Sequence, residues 1–231
     1  KTRSGFISRF IIKTLNMKNI LNNLLNDTPQ EFKDLIMEHP HFYKKYGSLI
    51  HSAQQSKKDG IWLEFGVFSG ETLEILTHFN SKVYGFDSWE GLPEDWDGVV
   101  PKGTFDTKGK IPFEPTPKME LIQGWFEDTI PKFIKDKNIT DLDFLHLDAD
   151  LYSSTKCVFD NFKPYFKGKV ILTFDEFFGY EGWEGHEYKA FKEFVFDVKD
   201  RIIDLKILSY SYNGVNVLGF HPTSFEINFR K

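Results

Sequence analysis

Two short segments hold the residue types best suited to do chemistry in this chain. Trp62-Leu63-Glu64-Phe65-Gly66-Val67-Phe68-Ser69-Gly70-Glu71-Thr72 runs from an apolar stretch through an acid into two glycines. Val83-Tyr84-Gly85-Phe86-Asp87-Ser88 is a second apolar run that also ends in an acid. Strand ends of this kind, joined by a helix, present nucleoside-like ligands in α/β sheets. Gly66 and Gly70 carry no Cβ, so backbone can approach a ligand closely there, and Asp87 is placed to accept both hydroxyls of a ribose. A dinucleotide site reads G-x-G-x-x-G, whereas the pattern here is Glu-x-Gly-x-x-x-Gly. That spacing suits S-adenosylmethionine, which has no phosphate, with Glu64 facing its ammonium group directly or through water. Phe68, Ser69 and Thr72, in the same loop and helix start, are further candidates for cofactor contact.

The second constellation is acidic. Phe144-Leu145-His146-Leu147-Asp148-Ala149-Asp150 and Val170-Ile171-Leu172-Thr173-Phe174-Asp175-Glu176 read as two strands ending in carboxylates. In a parallel sheet these ends lie side by side, on the edge that also carries Gly66 and Asp87. Carboxylates gathered there repel one another unless a cation neutralises them, and oxygen donors suit a hard ion such as magnesium or calcium better than zinc. Asp150, just before Leu151-Tyr152-Ser153-Ser154-Thr155, also reads as a simple helix cap. His186 opens the last long helix, where a histidine tends to stay neutral, as a base must; a surface histidine is the alternative. Asp148 and His186 are therefore the candidate proton acceptors, while His146, inside a strand, reads as a packed core residue. Trp89, Trp125 and Phe126 follow strand ends and either flank an adenine ring or pack in the core.

These residues need a scaffold, and from Gly60 onward strands and helices alternate. Strands are expected at Trp62-Gly66, Lys82-Phe86, Glu120-Gln123, Phe144-Asp148, Val170-Phe174, Leu205-Tyr212 and Val215-Phe220, with helices near Glu71-Phe79, Asp128-Lys135, Ser154-Phe166 and His186-Arg201. A turn around Asn213-Gly214 makes the last two strands antiparallel neighbours. The implied fold is α/β and Rossmann-like, of the class I methyltransferase layout: a seven-stranded, mostly parallel sheet with an antiparallel last strand and helices on both faces. Residues 1–59 read as a helical extension, with helices over Ile11-Leu25, from Thr28-Pro29-Gln30-Glu31 onward, and over Tyr43-Ser56; residues 60–231 form the catalytic domain. Two roles stay open for the extension, a cover over the active site or a homodimer contact. The stretch from Leu92 to Lys118, with five prolines and three glycines, stands where a crossover helix would be, and a long loop above strand ends reads as a lid or as a surface insertion.

Composition narrows the class. The 231 residues are 40% hydrophobic and 27% charged, as in a globular protein with one well-buried domain. A formal net charge of −5 argues against a nucleic-acid partner. No apolar run is long enough for a membrane span and no signal-peptide core is present at the start, so a cytoplasmic location is expected. The single cysteine, Cys157, excludes an internal disulfide and a multi-cysteine zinc site.

Four segments together carry a family likeness: Glu64-Phe65-Gly66-Val67-Phe68-Ser69-Gly70; Phe86-Asp87-Ser88-Trp89-Glu90-Gly91-Leu92-Pro93; Gly124-Trp125-Phe126-Glu127-Asp128-Thr129-Ile130-Pro131; and Leu147-Asp148-Ala149-Asp150-Leu151-Tyr152-Ser153-Ser154-Thr155. Over about Gly60 to Arg201 the chain resembles the macrocin O-methyltransferase family, enzymes that move methyl groups from S-adenosylmethionine to sugar hydroxyls with a divalent cation. The resemblance implies that Glu64, Gly66, Asp87, Ser88 and Gln123 hold the cofactor, with Gly124 and Trp125 beside them, and that Asp148, Asp175 and Glu176 hold the metal. The family pattern at the last pair is two aspartates, and Glu176 departs from it. The implied activity is magnesium-assisted O-methylation of a small-molecule hydroxyl, on a sugar or a glycosylated metabolite. Catechol-type methylation, a nucleotide-dependent oxidoreductase or epimerase, and a non-catalytic binding protein are the alternatives.

Overall fold

The structure is a computed structural model, and it describes residues 20–212 and 219–230. Among the described residues, helix α1 is seen over residues 20–26, most of the helix expected at Ile11-Leu25 lying outside them, and α2 (Pro29–Met37) follows. Thr28 caps α2 in a reciprocal box: its hydroxyl accepts from the Glu31 N–H, while the Glu31 carboxylate accepts from the Thr28 N–H at 2.9 Å. After β1 (His41–Phe42) and α3 (Gly47–Gln55), the alternation begins: β2 (Trp62–Phe65), α4 (Glu71–Thr77), β3 (Val83–Asp87), β4 (Met119–Gln123), α5 (Phe126–Asp136), β5 (Phe144–Leu147), α6 (Tyr152–Phe162), β6 (Gly168–Phe178), α7 (Glu187–Val198), β7 (Ile202–Ser211) and β8 (His221–Phe229).

These strands form one sheet in the order β1-β7-β8-β6-β5-β2-β3-β4. β8 runs antiparallel to both β6 and β7, and the remaining pairings are parallel. The expected mostly parallel sheet with a reversed last strand is therefore present, and the two-residue β1 extends its edge. The strand order places β2, β5 and β6 side by side, so the segments after Glu64, His146 and Thr173 end together.

Alternation along the strands divides the core between the two faces. Leu63, Phe65, Leu145, Leu172 and Phe174 pack against α5, α6 and α7, whereas Trp62, Phe144 and Ile171 meet Leu49 and Ala53 of α3 and Leu73 and Leu76 of α4. Ile20, Leu24, Phe32 and Ile36 join the first of these clusters, so the helical extension shares the core of the domain. The α6–α7 contact centres on Phe159, fully buried and stacked on Phe194 at 4.3 Å.

Two boundaries differ from the sequence expectation for physical reasons. The turn at Asn213-Gly214 and most of the strand expected at Val215-Phe220 lie outside the described residues; β8 starts at His221, where Phe225, Ile227 and Phe229 alternate into the core. β6 continues four residues beyond Phe174, and its register against β8 shifts between Phe174 and Phe178. Adjacent residues of a regular strand face opposite ways; this irregularity lets Asp175 and Glu176 both reach the same cavity. Among the described residues, no helix is long and apolar enough to cross a membrane.

Truncating the α6–α7 stack tests this packing. Phe159→Ala is expected to lower unfolding stability by about 3–5 kcal/mol, read from urea titrations followed by circular dichroism.

Candidate active site

The β2–α4 loop is built around a position that only glycine can fill. Gly66 has φ +86°, and a Cβ added there would stand 1.7 Å from the Asp148 carbonyl oxygen. The loop therefore presses against the tip of β5, where the Asp148 N–H also donates to the Phe65 carbonyl at 2.9 Å. Asp87 fastens the other side. Its Oδ2 accepts from the backbone N–H groups of Val67 and Phe68, each at 2.8 Å, and its Oδ1 accepts from the Trp89 N–H at 2.7 Å. The Trp89 indole N–H donates to the Phe68 carbonyl at 2.9 Å and closes the ring of contacts. Phe68, Trp89 and Asp150 all have positive φ without being glycine, a cost that the surrounding bonds hold in place.

Above this loop and the tips of β5 and β6 lies a cavity of about 420 Å³. Gly66, Phe68, Ser69, Thr72, Asp87, Asp148, Asp175 and Glu176, all expected site residues, line it. Gly70 sits just behind the wall, against the Phe113 ring. The carboxylates form two overlapping groups that share Asp148: one with His146 and Asp175, the other with Asp150 and Glu176, each with its donor atoms within 4.8 Å of one another. Thus the expected trio of Asp148, Asp175 and Glu176 is divided between two neighbouring groups.

Burial decides the electrostatics of this cluster. Taking Asp148 out of water raises its pKa well above the usual carboxylate range, and the charges of Asp175 and Asp150 add to the effect. The same causes, burial first and then Asp175, raise Glu176 and push Asp150 up to about 8. Glu187, the first residue of α7, is fully buried behind them; burial and the charges of Asp150 and Asp175 raise its pKa, while backbone N–H groups of Glu176 and Ala149 work the other way. Buried like charges on this scale fit a bound cation. The unpartnered, buried Oε2 of Glu176 provides a donor for one.

The other expected residues stand around the cavity rather than on its wall. Glu64 is fully buried beneath the glycine loop; it accepts from the Thr72 hydroxyl at 3.1 Å and pairs with His146 Nδ1 at 2.9 Å. Ser88, Gly124 and Trp125 line a second cavity of about 400 Å³, and Phe126 is a wall common to both. Gln123 donates to the Gly109 carbonyl at 2.7 Å and thereby ties the tip of β4 to the long loop. His186 caps α7 half-buried beside Trp96, with ring centroids 6.2 Å apart. Burial holds its pKa below the usual value, against the charges of Asp97 and Glu94.

Three contributions were not apparent from local motifs. Lys45 and Tyr46, just before α3, line the cavity, and the Lys45 ammonium donates to the Tyr46 hydroxyl at 2.9 Å. Burial works against the Lys45 charge, yet Tyr46 and the carboxylates of Asp175 and Asp148 raise its pKa overall. Asp150 lies in the acid cluster, not merely at a helix start, and its spacing of two from Asp148 was the available signal. The segment between β3 and β4 folds back on itself: the Leu92 N–H donates to the Thr104 carbonyl, and the Gly103 N–H to the Leu92 carbonyl. It brings Trp96, Val99, Val100 and Phe105 over the cavity. Trp96 stacks on Phe220 at 5.4 Å and meets Tyr180 edge-on.

Comparison with known proteins agrees with this arrangement. Residues 63–177 match the family model described as a methyltransferase domain. Among solved structures, CalS11, a calicheamicin methyltransferase, aligns with a TM-score of 0.53 at 19% identity over 91% of both chains. The O-methyltransferase NovP aligns with a TM-score of 0.50 at 14% identity, over 94% of this chain and 99% of that one. Both share the fold. No curated protein sequence matches the chain.

The crowded acids set a pH dependence. The native chain retains protons on carboxyls that ionise near 3.8 when unfolded, Asp150 holding its proton up to about 8. Between these values the native state binds more protons, so stability without divalent cations falls as pH rises. Thermal melts in EDTA are expected to drop by roughly 5–10 °C from pH 5 to pH 8, with a shallower slope in Asp150→Asn.

Proposed function

The chain carries a methyltransferase domain, and from that premise we propose that it is an S-adenosylmethionine-dependent O-methyltransferase acting, with a divalent cation such as magnesium, on a hydroxyl of a sugar or glycosylated metabolite. The observation that carries this reading is the shared cavity: the glycine loop and the carboxylate cluster open onto the same space. The resemblance to the macrocin O-methyltransferases supports the choice of acceptor. In this reading residues 60–231 are the catalytic domain, and Lys45 and Tyr46 of the preceding segment reach its cavity.

Gly66, Ser69, Thr72 and Lys45, which line the cavity, would hold the methionine part of the cofactor, the Lys45 ammonium offering a charge to its α-carboxylate. Glu64 acts from below, through its contact with Thr72. A carboxylate has about four acceptor positions, and Asp87 uses three of them on backbone N–H groups. Its Oδ1 keeps one for a ribose hydroxyl. Phe126, Ser88, Gly124 and Trp125, which line the second cavity, would receive the adenine.

Asp148, Asp150 and Glu176 are the oxygen donors for the hard cation, with Asp175 beside them. A cation there supplies charge neutralisation and lowers the pKa of an adjacent hydroxyl. Bound in the cavity, S-adenosylmethionine would supply an electrophilic methyl group whose sulfur can leave with the bonding electron pair, so the chain's own residues need only position the acceptor hydroxyl and take its proton. The hydroxyl proton passes to Asp148 or Asp150, both on the cavity wall. His186, the other candidate acceptor, stands outside that wall beside Trp96. The folded-back loop carrying Trp96 and Phe105 excludes water from the sulfonium.

The test has two stages. Isothermal titration with S-adenosylhomocysteine is expected to show saturable binding that Asp87→Ala weakens; no binding would sink the reading. Transfer of labelled methyl groups to a panel of activated sugars, glycosides and catechols should then favour a sugar hydroxyl, stop with EDTA and return with magnesium. Asp148→Asn is expected to lower kcat by about 10²–10⁴-fold. Exclusive transfer to catechols would move the assignment to the catechol class.

A further inference from the structure

His146 is the one member of the metal-capable groups that is not a carboxylate. It lies on β5 directly opposite Glu64 on β2 and Thr173 on β6. The period of two along a strand then puts Asp148 and Asp175 next on the same face, one step nearer the cavity. One ring nitrogen of His146 and one oxygen each of Asp148 and Asp175 lie within 4.8 Å of one another. Donors about 2.1 Å from a shared ion stand no more than about 4.3 Å apart, so a small contraction completes the set.

The two ring nitrogens of His146 differ in their surroundings. Nδ1 faces the Glu64 carboxylate at 2.9 Å, and Glu64 is itself held by the Thr72 hydroxyl. With Nδ1 donating to that carboxylate, the lone pair belongs to Nε2. Nε2 is buried without a hydrogen-bond partner, and the residue is wholly inaccessible to solvent. A carboxylate fixing one imidazole nitrogen while the other faces a metal is a recurrent second-shell arrangement. Most buried side-chain nitrogens have a hydrogen-bond partner, so a free Nε2 beside two carboxylates stands out.

We propose that His146, Asp148 and Asp175 form a nitrogen–oxygen position for a first-row transition dication, distinct from the all-oxygen group of Asp148, Asp150 and Glu176 and sharing Asp148 with it. Imidazole suits transition ions and carboxylates suit manganese and magnesium alike, so this mixed set accepts manganese(II) and discriminates against magnesium. Glu64 is its positioning residue. The inference needs only the donor set and stands whether or not the acceptor is a sugar.

Electron spin-echo spectroscopy of the full chain loaded with manganese(II) tests it without an activity assay. The wild type is expected to show nitrogen-14 modulation from a coordinated imidazole, retained under tenfold excess magnesium. His146→Asn should abolish the modulation, Asp150→Asn should keep it, and Glu64→Gln should weaken manganese affinity about 10–100-fold. Circular dichroism melts check that each variant folds. Absence of nitrogen modulation in the wild type at saturating manganese overturns the proposal, even if His146→Asn does not fold. Loss of the modulation in Asp150→Asn would refute a separate position.

Discussion

The organising constraint is like charge held out of water. Asp148, Asp150, Glu176 and Glu187 are all raised by burial and by one another, with Asp175 among them and the ammonium of Lys45 facing them. Such a cluster opposes folding, and a chain selected only for stability would replace it with apolar residues. Its position explains the surrounding design. The parallel strands β2, β5 and β6 bring the acids together, the irregularity in β6 turns two consecutive ones inward, and Glu187 reaches them from the start of α7.

Beside this repulsive centre the glycine loop is held rigidly. Three backbone N–H groups converge on Asp87, and the contact of Gly66 with the Asp148 backbone joins the two halves of the site. The acid at the tip of β3 therefore does two jobs, shaping the loop and leaving one acceptor position for a ligand. A change at Asp87 would alter the cavity floor as well as any direct contact, since its bonds support the positive-φ backbone of Phe68 and Trp89.

Much of the fold was legible because strand ends and glycines are local signals. The run through Glu64 and Gly66, the acids at 148 and 175, and the antiparallel last pair all follow from spacing and period. The site was only partly legible. Asp150 looked like a cap because local reading compares it with its helix, while its neighbours Asp175 and Glu176 arrive from another strand. His146 looked like core because its partner Glu64 is 82 residues away. Lys45 and Tyr46 had no motif at all; only the placement of α3 against the sheet brings them to the cavity. The loop from Leu92 to Lys118 read as a lid or a surface insertion, but its internal order was not legible because it comes from folding back on Trp89 and Leu92, which leaves no periodic trace.

The position of β8 has a consequence for how the chain comes to be assembled. It sits between β6 and β7, both of which precede it in sequence. While the polypeptide emerges from the ribosome, those two strands therefore cannot acquire their shared native neighbour, and the apolar edge of β6 stays open until Phe225, Ile227 and Phe229 arrive. An open hydrophobic edge is a template for pairing with another chain. Nascent protein is accordingly most vulnerable to aggregation just before the final residues of β8 are made, and chaperone engagement would be most valuable in that interval.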